Sequence, residues 1–114
     1  MSLNEFLSKL KSSPDAISFD DTMAVIEMNY IFTPASFTNG DLVNDAGQNS
    51  GSCKLFSFAK DQGLNQQETL HCFGKYYRDD VMKTPDGSDH QNIRNFIRTG
   101  WDGITFENVP LRIK

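Results

Sequence analysis

Cys53 is the residue whose type and position best fit a chemical role. It lies in the stretch NDAGQNSGSCKLFSFA, residues 44–59, where small and amide side chains change abruptly to an apolar, aromatic segment. If Ser50 or Ser52 caps a helix there, the thiol lies in the first turn, where the helix dipole and free backbone N–H groups favour a thiolate. Gly51 would let a substrate approach those N–H groups, which could stabilise an oxyanion.

A cysteine nucleophile needs a base, and the chain has two histidines, His71 and His90. His71 shares a predicted helix face with two basic residues, which is typical of a solvated surface. His90 follows the turn-forming stretch PDGSD and is the better candidate, with a carboxylate beside it at Asp89. The predicted catalytic residues are therefore Cys53, His90 and Asp89.

Cys53 and His90 also have structural interpretations, which their residue types favour. Free cysteine is among the most buried residue types, and Cys53 heads an apolar run. A histidine in a helix N-terminal turn more often makes a cap or a local hydrogen bond than it catalyses. Packing is therefore the first expectation for Cys53, and catalysis is the alternative.

A second group of polar residues is rich in amides. Buried amides can hold an irregular loop by pairing with its backbone, which is the favoured interpretation, or they can line a pocket for a polar ligand. Arg94 and Arg98, four residues apart on the last predicted helix, would add an anion site. The candidate ligand-binding residues are Asn39, Asn44, Asn49, Gln91, Asn92 and Arg94.

Composition indicates an ordinary globular domain. A chain of 114 residues, 38% of them hydrophobic, suffices for one core, so we expect a single domain over residues 1–114. The formal charge of −4 argues against binding to nucleic acid. No apolar run approaches the roughly 18 to 20 residues of a membrane span, and no secretory signal is recognisable. We expect a cytoplasmic protein without a membrane partner, and the oligomeric state is left open.

The cysteines and histidines do not show the spacing of a metal site. Cys53 and Cys72 form no CxxC pair, and His71 and His90 complete no zinc-finger pattern. We therefore expect two reduced thiols, no metal and no cofactor.

Apolar periodicity and turn signals predict a mainly α fold of about five helices, with α+β as the alternative. The polar stretch 33–51 is predicted to be a long ordered loop, and the tail after Gly100 a small hairpin or a pair of extended strands. The predicted helices cover residues 3–11, Ser18 or Asp20 to about Ile31, Ser50 or Ser52 to Gly63, Asn65 to Val81, and Ser88 to Gly100.

Three long motifs also resemble a known family. FTPASFTNGDLVNDAGQNSGSCKLFSFA, ETLHCFGKYYRDDV and GSDHQNIRNFIRTGWDGITFE occur in the order in which they occur in the HopJ type III effector family. The resemblance runs from about residue 14 to residue 111. It implies no established activity, cofactor or catalytic residue, so none is carried over. The family name implies delivery into a host cell by a type III system as the alternative location.

The sequence therefore favours a small noncatalytic binding or interaction domain, with a protein partner or a small anionic ligand. One alternative is a small hydrolase or acyltransferase that depends on Cys53 and His90. The other is a housekeeping protein that binds an anionic small molecule.

Overall fold

Five α-helices make up most of the chain, and five three-residue strands form two separate antiparallel sheets in the computed structural model, which describes residues 1–114. Two 3₁₀ turns, at Pro14–Ala16 and Gly100–Gly103, and a π-helical segment, Tyr76–Val81, join them. The bounds are α1 Leu3–Ser12, α2 Phe19–Asn29, α3 Ser50–Asp61, α4 Gln66–His71, α5 Gln91–Thr99, β1 Tyr30–Phe32, β2 Phe37–Asn39, β3 Leu42–Asn44, β4 Ile104–Phe106 and β5 Leu111–Ile113.

Three of the helices begin with a capping box, in which the cap side chain and the third helical residue each bond the other's backbone N–H group. The caps are Ser2, Ser18 and Asn65, so of the two predicted starts of the second helix Ser18 is the one observed. These boxes hold the first turns of α1, α2 and α4 without help from the rest of the protein.

Phe56 of α3 lies at the centre of the core. Its side chain is fully buried, and its ring centroid lies 4.9 Å from that of Phe96 in α5 and 5.5 Å from that of Phe73. Phe37 of β2 contacts it from the sheet side, at 6.1 Å. Burying one such side chain contributes about 1.5–3 kcal/mol. Because 22 buried residues form one cluster around these rings, α3, α5 and the hairpin are packed on a common core.

The two sheets differ from the prediction in where α2 ends and in how the strands of the tail pair. The second helix ends at Asn29, and Tyr30–Phe32 is instead a strand that pairs with Leu111–Ile113. The tail forms two strands, as predicted, but they do not pair with each other, because β4 pairs with β2. Both pairings join residues far apart in the sequence, which local patterns cannot indicate.

The stretch 33–51 is not a loop throughout, because it contains the hairpin β2–β3. Gly40, with a φ of +63°, is the first residue of its two-residue turn, a position that favours glycine in tight hairpins. The turn pair is Gly40–Asp41, a Gly-Asp hairpin signal, but the alternation of apolar and polar residues around it is weak because each strand has only three residues.

The predicted long fourth helix is interrupted. It ends at His71, and after a turn the π-helical segment Tyr76–Val81 follows. Gly74 lies in this turn with a φ of +64°, and a Cβ atom there would come within 2.7 Å of the backbone nitrogen of Phe19. The break lets the start of α2 pack directly on the turn. The mainly α class is confirmed, and no helix is long and apolar enough to cross a membrane.

Candidate functional site

Four asparagines connect the β2–β3 hairpin to the N-termini of α3 and α5. Asn44 Oδ1 accepts hydrogen bonds from Asn49 Nδ2 at 2.7 Å and from Asn92 Nδ2 at 3.0 Å. Asn44 Nδ2 donates to Asn92 Oδ1 at 3.2 Å, and Asn39 Nδ2 donates to the Asn92 carbonyl at 2.7 Å. Since Asn39, Asn44 and Asn92 are buried, most of the predicted amide group is used within the protein. We call these four residues the asparagine clamp.

Both helices held by the clamp begin in the same unusual way. Asn49 and His90 precede α3 and α5 and are the only non-glycine residues with positive φ, at 51° and 50°. The predicted caps at Ser50, Ser52 and Ser88 are therefore wrong. A left-handed residue costs roughly 1–2 kcal/mol, so the surrounding structure must hold both in place.

These caps leave backbone donors free. Neither Asn49 nor His90 caps its helix with its side chain, and neither helix has an acidic residue in its first turn. The N–H groups of residues 50–52 and 91–92 make no hydrogen bond within the protein. Each helix therefore presents the positive end of its dipole with unpaired donors.

The two N-termini face one cleft of about 510 Å³. Its apolar walls include the rings of Phe19, Phe73 and Tyr76. Its polar lining consists of Asn49, Ser52, His90, Gln91 and Asn92. The structure thus brings together four of the predicted site residues, and adds Ser52 and Tyr76, which sequence analysis did not place in a site.

His90 is the histidine that lines this cleft. Its Nε2 lies 3.2 Å from Asp80 Oδ2 and 3.8 Å from Asp89 Oδ2, and its ring centroid lies 5.3 Å from that of Tyr76. The predicted neighbour Asp89 is thus near, but Asp80 is nearer. Asp80 comes from the π-helical segment, and no spacing in the sequence relates it to His90.

Cys53 lies on the other side of α3, in the core. Its side chain is 1% exposed, its Sγ lies 3.7 Å from the carbonyl oxygen of Ala35, and it does not line the cleft. Burial raises the pKa of the thiol, which is the opposite of the depressed pKa that the catalytic alternative requires. The reason is its place as the fourth residue of α3, which faces the core. A catalytic role for Cys53 stays a prediction, and the geometry gives it no support.

Arg94 lies outside the cleft and holds the turn before α5. Its guanidinium donates to Asp89 Oδ1 at 2.6 Å and to the carbonyl oxygen of Thr84 at 2.8 Å. The hydrogen bond from Arg94 to Asp89 lowers the pKa of the Asp89 carboxyl. Arg98 lies outside the cleft too. It is exposed, and its guanidinium donates to Asn95 Oδ1. The predicted anion site of Arg94 and Arg98 is thus separate from the amide-lined cleft.

The arrangement offers hydrogen-bond donors to a ligand oxygen, aromatic rings to a flat apolar group, and one histidine. No three His, Cys, Asp or Glu side chains converge so as to hold a metal ion.

A solved structure described as "Crystal structure of unknown function protein VPA0580" is similar to this chain over its whole length. The two are 56% identical, the match covers 100% of this chain and 95% of that one, and the TM-score is 0.98. No curated protein shows significant similarity. Residues 3–111 match the family described as HopJ type III effector protein, as the motifs predicted. The chain therefore belongs to the HopJ type III effector protein family.

Proposed function

We propose that the protein is a small binding domain that holds a small polar ligand in the cleft between α3 and α5. The observation that carries the proposal is that unpaired N–H groups from two helices meet in this one cleft. Its volume of about 510 Å³ lies within the range of small-molecule sites. The asparagine clamp supports a preformed site, because it holds both helix starts independently of a ligand.

The charges around the cleft favour an uncharged ligand with a carbonyl-type oxygen. Two helix N-termini attract partial negative charge. No lysine or arginine lines the cleft, and the carboxylates of Asp80 and Asp89 lie 3.2 Å and 3.8 Å from His90 Nε2. A fully charged anion would meet their repulsion, whereas a carbonyl oxygen gains the hydrogen bonds at less cost. Phe19 and Tyr76 suit an apolar group beside that oxygen.

The anionic-ligand alternative would use a second, smaller cleft of about 360 Å³, which Arg94 and Arg98 line with Ile97. The hydrogen bonds that engage the Arg94 guanidinium weaken this alternative. A protein partner stays a prediction, since neither the fold nor the family relation identifies one.

A fragment titration followed by amide chemical shifts would test the proposal. Small amides and esters are expected to shift the N–H signals of residues 50–52 and 91–92. Tyr76→Leu, which removes an aromatic wall, should weaken binding at least about 5-fold, since one ring contact is worth about 1 kcal/mol. Ile97→Ala, in the second cleft, is the control and should leave the affinity unchanged. The proposal fails if no fragment shifts the two N-termini; shifts confined to Arg94 and Arg98 would support the anionic alternative instead.

We propose the cytoplasm as the place of action, with delivery into a host cell as the alternative that the family name supports. Phe6 and Leu10 anchor α1 in the core, at 0% and 2% exposure. An export apparatus that reads these residues as an extended signal would first have to remove α1 from the core. A translocation-reporter fusion in a bacterium with a type III system should remain in the bacterium. Reporter activity inside host cells would establish the alternative.

A further inference from the structure

We propose that the cleft is also a serine hydrolase site, in which Ser52 is the nucleophile, His90 the base and Asp80 its orienting carboxylate. This inference rests on the proposed function, because the substrate is a carbonyl compound of the kind that the cleft is proposed to bind. The substrate class is a small uncharged ester.

His90 has the surroundings of a general base. Asp80 Oδ2 lies 3.2 Å from Nε2. Because a carboxylate only accepts, Nε2 carries the ring hydrogen and donates a hydrogen bond to Asp80. The other ring nitrogen, Nδ1, makes no hydrogen bond within the protein and is left as the basic nitrogen of a ring that lines the cleft. A carboxylate in this position selects the tautomer and stabilises the imidazolium that forms during catalysis.

Ser52 carries the free serine hydroxyl of the cleft. It lines the same cleft as His90, is partly exposed, and makes no side-chain hydrogen bond within the protein. Ser50, in the same helical turn, instead donates from Oγ to the carbonyl oxygen of Gly47 at 3.4 Å. The neighbouring thiol of Cys53 is buried. Of the three side chains that could attack a carbonyl, only Ser52 combines exposure to the cleft with a free heteroatom.

The start of α3 supplies donors for the oxyanion. The N–H groups of Gly51 and Ser52 have no partner in the protein. In most helices a cap side chain would occupy them, but Asn49 points its amide at Asn44 instead. Donors that are free in the resting protein can bind the oxygen on which charge develops.

The proposed reaction uses only ester and water. Ser52 Oγ bonds to the carbonyl carbon while its proton moves to His90 Nδ1, and the carbonyl electron pair moves onto the oxygen. When the carbonyl re-forms, the bond to the leaving alkoxide breaks, and the alkoxide takes the proton from His90. Water then attacks the acyl-serine in the same way, which yields a carboxylic acid and restores Ser52.

Labelling with a small alkyl fluorophosphonate, with the modified residue found by peptide mass mapping, would test the proposal. The wild-type protein should gain one phosphonyl group on Ser52 and release fluoride. Ser52→Ala should lose the label, and Ser50→Ala, the matched control, should keep it. His90→Asn should slow labelling about 100-fold, a common effect of losing a general base. Asparagine is chosen because it tolerates the left-handed backbone at residue 90.

Asp80→Asn separates an orienting carboxylate from a merely structural one. It should slow labelling and change the pH profile of the labelling rate, whereas a structural role would leave that profile unchanged. The hydrolase proposal is overturned if wild-type Ser52 stays unlabelled, or if His90→Asn labels as fast as the wild type. Peptide mass mapping of the labelled wild-type protein locates the modified residue by itself, so the test does not depend on every variant folding. Fragment binding without labelling would overturn the hydrolase and keep the binding function, whereas failure of both would remove both proposals.

Discussion

Asn44 shows how much one buried side chain can determine. Its Oδ1 accepts from Asn49 and Asn92, which belong to the starts of two different helices. Replacing it would leave Nδ2 of Asn92, a residue that is 6% exposed, without its acceptor, whereas Asn92 Oδ1 would keep the donor Asn39 Nδ2. A buried polar group left unpaired costs about 1–3 kcal/mol. The geometry of the cleft therefore depends on a residue that does not line it.

We expect Asn44→Ala to lower the free energy of unfolding by about 2–3 kcal/mol, because it removes the acceptor that Asn49 and Asn92 share and one of the two donors to Asn92 Oδ1. Urea unfolding would measure the loss. Val43→Thr, a substitution on the exposed face of the same strand, should change stability by less than about 0.5 kcal/mol. Equal effects of the two substitutions would show that the clamp does not stabilise the fold.

At the scale of elements, glycine-containing turns follow the ends of α3 and α4. Gly74 lies in the turn after α4, in a left-handed conformation against the start of α2, and Gly63 follows α3 with a similar φ of +68°. Their surroundings differ, because a Cβ atom at residue 63 would meet nothing within 4 Å, whereas one at residue 74 would meet the Phe19 backbone. Alanine at residue 63 would therefore cause backbone strain alone, whereas alanine at residue 74 would cause both backbone strain and steric overlap.

Gly63→Ala should cost only the strain of a left-handed alanine, about 1–2 kcal/mol. Gly74→Ala adds overlap with backbone atoms that cannot rotate away, so we expect a loss at least about 2 kcal/mol larger, close to the cost of other overpacked sites. Thermal or urea unfolding of the two variants would measure the difference. Similar losses would mean that the contact between the turn and α2 relaxes easily.

At the scale of the whole molecule, two ionisable groups link stability to pH. Burial, and then the charge of Arg78, lower the pKa of His71 below its usual 6.5, although Asp15 opposes the shift. Hydrogen bonds from Arg94 lower the pKa of Asp89 below 3.8. In both cases the unfolded chain binds protons at a higher pH than the folded protein does. Both contributions are therefore present above the unfolded pKa and are lost as pH falls.

We expect the urea midpoint to fall between pH 7.5 and pH 5.5, because protonation of His71 then favours the unfolded chain. His71→Gln has no proton to gain in this window, so its midpoint should fall less than that of the wild type. The loss due to Asp89 should come only below about pH 4, near the ordinary pKa of aspartate. If wild type and His71→Gln lose stability in parallel, His71 does not contribute to the pH dependence.

The features of the fold and site that could be predicted from the sequence depend on residues close together in the chain. The helices predicted to begin at residue 3, at Ser18 or Asp20, and at Asn65 begin there, because a capping box needs residues only three apart. By contrast, the pairing of β2 with β4 and the approach of Asp80 to His90 had no signal in the sequence. For Cys53 the sequence favoured packing and left catalysis as the alternative, because a residue in the first turn of a helix can face either the core or the solvent.

By itself, the sequence determined the mainly α class, most helix starts and the family, because periodicity, caps and long motifs are read along the chain. Tertiary structure decided the site. It directed Cys53 into the core, used Arg94 to hold a turn, and placed the N-termini of α3 and α5 at one cleft. The physical reason is that burial and hydrogen-bond partners depend on contacts between residues far apart in the chain, such as those of the asparagine clamp, and those contacts exist only once the helices and the hairpin have packed together.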